Sequence, residues 1–153
     1  MLKIGEKAPN FSLPDVTGNI VNLSSFIGKK VVIYFYPKDD TPGCTKQACA
    51  FRDSYKTYTD NDIVLIGISK DNEKSHEKFT KKYDLPFILL SDTNGETLSS
   101  YGVWKQKSMY GKTFMGVNRT TYVLDENGIV IKVFEKAEPA TNASDILKFL
   151  NIK

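Results

Sequence analysis

Cysteine, histidine and tryptophan are all scarce in this chain. Its 153 residues include two cysteines, one histidine and one tryptophan. Two cysteines and one histidine fall short of the four ligands of a structural zinc site, so we expect no metal centre of that kind. The longest strongly apolar run, VVIYFY, is also far shorter than the roughly 20 residues of a membrane-spanning helix. Because the chain has only two cysteines, any thiol chemistry in this protein must use this one pair.

The chain also has little net charge and no visible export signal. Its 21 basic and 18 acidic side chains leave a formal charge of +3, which does not favour nucleic acid or a membrane surface as a partner. The opening MLKIGEK shows no secretory pattern, so we expect a cytoplasmic protein. In that compartment a cysteine pair is more often catalytic or redox-active than structural.

Strand and helix patterns alternate along the sequence. We predict an N-terminal hairpin around Thr17-Gly18, buried strands at 30–36, 62–69 and in PFILLSD, and helices between them. A second hairpin turns at Asn127-Gly128, and Asn142 is the predicted cap of a last helix. This order predicts an α/β fold with a mixed central sheet, in one domain over residues 1–153.

Two features fit this pattern less well. Residues 103–118 match no element, and we interpret them as a long ordered loop beside the functional site. Their mixture of basic and aromatic residues resembles a nucleic-acid surface, but the small net charge argues against that function. His76 lies in the middle of a predicted helix, where we expect it to be solvated or bonded locally.

Cys44 follows a strong helix start. Thr41 suits the N-cap and Pro42 the first helical position, which places Cys44 at the third position of the helix. Backbone N–H groups there have no intrahelical partner, and the helix dipole contributes a partial positive charge. Such a position favours a thiolate, which is the reactive form of cysteine.

Burial works against that activation. Cys44 shares helical spacing with Ala48, Phe51 and Tyr55, so the thiol should lie in an apolar pocket. Because burial disfavours a charged sulfur, a fixed cation is needed to balance it. An arginine is the better candidate than the single histidine, since a guanidinium keeps its charge and offers several donors.

The spacing of the two cysteines conflicts with an intact helix. Positions five apart on an α-helix differ by about 7.5 Å along the axis and about 140° around it, which separates the two Cα atoms by roughly 8–9 Å. A disulfide needs a Cα separation of about 4.4–6.8 Å. Cys49 can therefore reach Cys44 only if one or two turns of the helix unwind.

The same stretch resembles a known family. PKDDTPGC, which ends at Cys44, fits the P-x3-T-x2-C signature of peroxiredoxins, and CTKQAC is similar to their bacterioferritin-comigratory or Q-type group. GEKAPNFSL, FILLSD, YGVW, GVNRTTYVLD and GIV fall where that group has counterparts. The resemblance extends over nearly the whole chain.

The resemblance implies a thioredoxin fold and reduction of hydrogen peroxide and organic hydroperoxides without metal, flavin or other cofactor. Cys44 would be the peroxidatic nucleophile and Cys49 the resolving thiol, joined in a redox disulfide. Thr41 would cap the helix and donate to the peroxide, Arg119 would stabilise the thiolate and the leaving oxygen, and Pro37 would keep water from the sulfur.

The resemblance also implies recycling by thioredoxin, or by a similar dithiol protein, and a monomeric enzyme. Two other functions stay open. A thioredoxin-like disulfide oxidoreductase would normally carry C-x-x-C, but the third residue after Cys44 is Gln47. A redox-sensing interaction module would be oxidised once per signal, whereas a peroxidase turns over many equivalents.

The spacing argument leads to a direct test. We expect fully reduced protein treated with hydrogen peroxide to form an intramolecular Cys44–Cys49 disulfide, because the first oxidation is resolved by the only other thiol. Peptide mass spectrometry without reduction would detect the linked peptides. Oxidation that stops at Cys44, with Cys49 still free to alkylate, would contradict a two-cysteine cycle.

Overall fold

Strands and helices alternate through residues 1–152, the part of the chain that the computed structural model describes. The strands are β1 (Ser12–Pro14), β2 (Ile20–Asn22), β3 (Lys30–Phe35), β4 (Ile63–Ser69), β5 (Ile88–Ser91), β6 (Trp104–Met109), β7 (Lys112–Val117), β8 (Thr120–Leu124) and β9 (Val130–Glu135). The helices are α1 (Pro42–Asp60), α2 (Glu73–Tyr83), α3 (Glu96–Ser100) and α4 (Asn142–Phe149), with a 3₁₀ turn at Leu23–Phe26. Within the described range, no helix combines the length and apolarity needed to cross a membrane.

Five strands form the central sheet, in the order β5-β4-β3-β8-β9. Strands β3, β4 and β5 run parallel, whereas β8 is antiparallel to both β3 and β9. Strands β1 and β2 pair separately as the predicted N-terminal hairpin. The prediction of an α/β fold with a mixed sheet is therefore confirmed.

The core has two halves, one on each face of this sheet. Side chains alternate along a strand, so Ile33 and Phe35 of β3 enter one half with Tyr122. Val32 and Tyr34 enter the other half, where Cys44 is also buried. The continuous apolar run at 30–36 indicates a strand covered on both faces, and the two core halves do cover both faces of β3.

Strand pairing brings the start of α1 close to the start of β8. Phe35, the last residue of β3, pairs with Thr120, the first residue of the antiparallel β8. Parallel strands place the following helix N-terminus at the same edge of the sheet. Arg119 consequently lies at that edge, across 75 residues of sequence from Cys44.

The prediction of a loop at 103–118 is wrong, because this segment is a β-hairpin. Strands β6 and β7 pair in register from Trp104 opposite Val117 to Met109 opposite Lys112. Both turn residues, Tyr110 and Gly111, have positive φ, as a two-residue hairpin turn requires. The hairpin carries few buried residues, so its strands lack the apolar alternation by which strands are recognised.

Two smaller expectations also need correction. Thr141, and not Asn142, occupies the N-cap position of α4, while the buried Asn142 turns its side chain towards Gln47 and Thr121. His76 is not solvated but fully buried, with hydrogen bonds to other elements. In both cases partners distant in sequence decided the position of the side chain.

Gly67 offers a test of packing in the sheet. A Cβ added there would lie 2.8 Å from both the Leu89 and the Tyr34 side chains, and both residues are buried. We expect Gly67→Ala to reduce the free energy of unfolding by about 1–3 kcal/mol, because overpacked cores must shift. Urea denaturation would measure the change.

Gly116→Ala is the matched control, because its added methyl would first meet the flexible Lys107 side chain, at 3.2 Å. We expect this variant to lose less than about 1 kcal/mol. If the free energy of unfolding falls equally in the two variants, close packing around Gly67 is not the cause of the destabilisation.

Candidate active site

Cys44 lies in the first turn of α1, as predicted. Thr41 is extended (φ −92°, ψ 156°), Pro42 is the first helical residue, and the amide of Thr45 donates to the Thr41 carbonyl over 2.8 Å. The thiol is almost completely buried, with 1% exposure. Dehydration therefore opposes a charge on the sulfur, while the orphan N–H groups and the helix dipole favour it.

Arg119 supplies the cation that this balance requires. Its Nη2 donates to the Sγ of Cys44 over 3.4 Å, and its Nη1 donates to the Oε1 of Gln47 over 2.7 Å. Because a guanidinium is always charged, its hydrogen bond stabilises a thiolate more than a thiol. The residues that the sequence singled out as nucleophile and cation are in direct contact.

Gln47 is a site residue that sequence reasoning missed. It is fully buried, and while its oxygen holds Arg119, its amide donates to Asn142 Oδ1 over 3.1 Å. Thr121 donates to the same oxygen over 2.7 Å. The sequence does contain a signal for this role. Gln47 is a polar residue on the helix face that carries Cys44, and the apolar pattern predicts that this face contacts the core.

Gly43 allows the guanidinium to approach the helix. A Cβ at this position would lie 3.0 Å from Arg119 Nη2 and 3.8 Å from Pro139. Any larger side chain would therefore press on the nitrogen that bonds to Cys44. The absence of a side chain at 43 is thus part of the site.

Cys49 lies on the same helix, and its side chain is only partly buried. Both cysteines are free thiols in this conformation. Both lie within α1, so their Cα atoms are separated by about 8–9 Å, beyond the range of a disulfide. The structure is that of the intact, reduced site.

Comparison with known proteins decides the family. The AhpC/TSA family model matches residues 4–133. Peroxiredoxin Bcp of Bacillus subtilis is 42% identical over 149 residues, which cover 97% of this chain and 95% of that protein. Chloroplastic peroxiredoxin Q of Sedum lineare is 48% identical over 147 residues, covering 95% of this chain and 76% of that protein. The chain belongs to the AhpC/TSA family.

Structural comparison agrees with this assignment. The bacterioferritin comigratory protein of Xanthomonas campestris superposes with a TM-score of 0.88 at 33% identity, covering 92% of this chain and 90% of that one. The protein is thus a peroxiredoxin of the Bcp and Q group with a thioredoxin fold, as its sequence motifs indicated. A peroxiredoxin is a thiol peroxidase that acts on peroxides and is reduced by a thioredoxin-type protein.

Thr41 occupies the N-cap of α1 in this peroxiredoxin, but its hydroxyl makes no capping bond. It donates instead to the Lys38 carbonyl oxygen over 2.8 Å. The expectation that this hydroxyl caps the helix is therefore wrong. With its only proton engaged, the hydroxyl oxygen is left as an acceptor. Pro37, at the start of the same loop, is exposed.

The β6–β7 hairpin brings a second cation near the peroxiredoxin site. Lys107 Nζ donates to the Val117 carbonyl over 2.5 Å. Burial, and then repulsion from the Arg119 guanidinium, lower the pKa of Lys107, whereas the Cys44 sulfur acts in the opposite direction. The segment that we predicted as a loop beside the site does contribute to its electrostatics.

The Arg119–Cys44 contact can be tested by Arg119→Gln. We expect oxidation of Cys44 by hydrogen peroxide to slow by about 10- to 100-fold, which corresponds to losing a charged hydrogen bond of about 1.5–3 kcal/mol. The pH midpoint for iodoacetamide alkylation of Cys44 should also rise, because the thiolate loses its cation. Stopped-flow kinetics and alkylation rates measure the two effects.

Arg52→Gln is the control, since Arg52 also lies on α1 but bonds to Asp53 and the Tyr83 carbonyl. Its oxidation rate and alkylation midpoint should match those of the wild type. An unchanged midpoint in Arg119→Gln would remove Arg119 from its role in holding the sulfur charged.

Proposed function

We propose that this peroxiredoxin reduces hydrogen peroxide and organic hydroperoxides with Cys44 as the peroxidatic thiolate, in one domain over residues 1–153. The observation that carries the proposal is the Arg119 guanidinium on a buried sulfur in the first turn of α1. A buried sulfur with a fixed cation and orphan N–H donors suits attack on a substrate that develops negative charge.

The first step transfers one oxygen atom to sulfur. The Cys44 thiolate attacks the nearer peroxide oxygen, the O–O bond breaks, and the distant oxygen leaves with the electron pair and takes up a proton. Cys44 becomes a sulfenic acid, and water or an alcohol is released. Arg119 stabilises both the thiolate before attack and the charge that builds up on the leaving oxygen.

Thr41 and Pro37 complete the proposed pocket. Because the Thr41 hydroxyl donates to the Lys38 carbonyl, its oxygen can accept the proton of a peroxide O–H and align the O–O bond with the sulfur. Pro37 lacks an N–H group, so it cannot hold a competing water at the mouth of the site. The role of Pro37 follows from the resemblance, whereas for Thr41 the bond to Lys38 changes the expected donor to the peroxide into an acceptor.

The second step requires α1 to open. Cys49 attacks the sulfenic sulfur, a disulfide forms, and water leaves. Since the intact helix separates the two Cα atoms by about 8–9 Å, the turns between the cysteines must unwind. Opening also withdraws Cys44 from Arg119 and presents the new disulfide to a reductant.

Core packing sets a limit to this opening. Phe51 is fully buried and stacks on Tyr34 with ring centroids 4.7 Å apart, and Tyr58 further along α1 donates to the Ala143 carbonyl over 2.8 Å. Unwinding beyond residue 50 would expose large aromatic side chains to water, at about 1.5–3 kcal/mol each. We therefore assign the opening to residues 42–50. Only this part of α1 unfolds, and the rest of the helix stays packed.

A dithiol protein of the thioredoxin type would then reduce the Cys44–Cys49 disulfide by thiol–disulfide exchange. This regeneration suits a reducing compartment such as the cytoplasm. The intramolecular disulfide makes one chain sufficient for the cycle, so we propose that the enzyme acts as a monomer. It uses no bound cofactor in this scheme, since the two thiols carry the electrons.

The test is a coupled assay with thioredoxin, thioredoxin reductase and NADPH. We expect the wild type to oxidise many equivalents of NADPH per enzyme when hydrogen peroxide or cumene hydroperoxide is added. Cys44→Ser should abolish turnover because the nucleophile is lost. Cys49→Ser should consume one equivalent of peroxide, accumulate sulfenic acid and overoxidise more readily.

If the wild type oxidises only one equivalent of NADPH per enzyme under the same conditions, the result would favour a redox-sensing module over a peroxidase. Turnover by Cys44→Ser would remove Cys44 as the nucleophile. Multiple turnovers by Cys49→Ser would show that a one-cysteine cycle operates and that no helix opening is needed.

A further inference from the structure

Two consecutive aspartates tie the loop between β3 and α1 to helix α2. Asp39 is buried, with 7% exposure, and its carboxylate accepts from Tyr36 Oη over 2.6 Å and from Ser75 Oγ over 2.8 Å. The Nδ1 of His76 lies 2.7 Å from the same carboxylate. The buried Asp39 carboxylate thus holds the loop between β3 and α1 in place.

Both ring nitrogens of His76 lie within hydrogen-bond distance of a partner. The residue is fully buried, and its Nε2 lies 3.0 Å from the Leu90 carbonyl oxygen, which can only accept, so Nε2 carries a proton. Nδ1 lies 2.7 Å from the Asp39 carboxyl group, which also accepts from two hydroxyl groups. The buried pair of His76 and Asp39 links α2 and β5 to the loop.

Further contacts hold the neighbouring backbone. The amide of Asp39 donates to Asp71 Oδ2 over 2.8 Å. Asp40 has a left-handed backbone (φ 58°) and accepts from Lys82 over 2.8 Å and from Tyr83 over 3.0 Å. A non-glycine residue in this conformation persists only where its surroundings hold it in place. The loop conformation is therefore imposed by α2.

Only Thr41 separates these aspartates from helix α1. The direction in which α1 begins, and so the positions of the Thr41 hydroxyl and the Cys44 sulfur, depends on the conformation of residues 39 and 40. A shift of about 1 Å in reacting groups can cost roughly 100-fold in rate. Asp39 and Asp40, which α2 holds, precede α1 so closely that a change in their positions can shift the reacting groups by this amount.

We propose that His76 is a positioning residue of the peroxidase site, acting through Asp39, in a role that rests on the function proposed above. It holds the loop in the geometry that oxidation of Cys44 requires. Because the loop stays anchored up to Asp40, opening of the helix is confined to the residues that follow it. Loss of the anchor should therefore slow the first oxidation without slowing disulfide formation.

Two amide variants separate the bonds of the imidazole. His76→Asn places its amide N–H near the former Nδ1 and keeps a donor to Asp39, whereas His76→Gln places its N–H near the former Nε2 and keeps a donor to the Leu90 carbonyl. Both variants lose a similar part of the ring. If His76 acts through packing alone, the two variants should have similar oxidation rates. If it acts through Asp39, their oxidation rates should differ.

The first readout is single-turnover oxidation by hydrogen peroxide in the full chain with Cys49→Ser, followed by mass spectrometry of the trapped sulfenic acid. We expect His76→Gln to slow this step by about 10- to 100-fold, and His76→Asn to recover most of the rate. The second readout is conversion of the sulfenic acid to the disulfide with Cys49 present, measured at peroxide concentrations high enough that the first oxidation does not limit the rate. This step should be as fast in His76→Gln as in the wild type, or faster.

Val130→Ala is the stability control, because Val130 is buried in the core half on the face of the sheet opposite α1. It should lower the melting temperature while keeping the wild-type oxidation rate. Equal rates in the Asn and Gln variants, whether fast or slow, would overturn the proposal, as would slower oxidation in Asn than in Gln.

If His76→Gln does not fold, Ser75→Ala serves instead, since it removes one hydroxyl donor from Asp39. We expect this variant to slow the first oxidation at least about twofold, and a wild-type rate would overturn the proposal. Failure of the parent protein to oxidise at Cys44 would instead contradict the proposed function, which keeps the two failures distinct.

Discussion

The contact between the Arg119 guanidinium and the Cys44 sulfur is the interaction on which the rest of the site depends. Burial protects the sulfur from water but penalises its charge, so the site needs a permanent cation at hydrogen-bond distance. Gln47 orients that cation, and Gly43 leaves room for it. The sheet register that starts β8 beside the end of β3 makes the contact possible.

In the proposed two-cysteine cycle, the helix that activates the sulfur must also open. Its first turn supplies donors and a dipole to Cys44, yet its regular geometry keeps Cys49 out of reach. The proposed cycle therefore requires a site that is stable enough to hold the thiolate and weak enough to open after oxidation. In this proposal the opening segment ends before the stacked Phe51, because the aromatic core stabilises α1 from that point onwards.

Polar networks fasten the start of α1 from two sides. On one side Asn142 of α4 reaches Gln47 in the helix, and on the other His76 of α2 holds Asp39 in the preceding loop. Both networks join elements that are distant in sequence, and both contain buried polar groups whose burial is costly unless they are paired. The site is thus held in place by its neighbours rather than by the helix alone.

The sequence by itself determined the local parts of this protein. Thr41-Pro42 favours a helix start, which places Cys44 in the first turn and Cys49 five residues further along the same helix. Only the tertiary structure decided what Gln47 and His76 bond to and that residues 103–118 form a hairpin. Caps and apolar periodicity act between near neighbours and are visible in the chain, whereas the partner of a buried polar group, or of an exposed strand without apolar alternation, exists only after distant segments have packed.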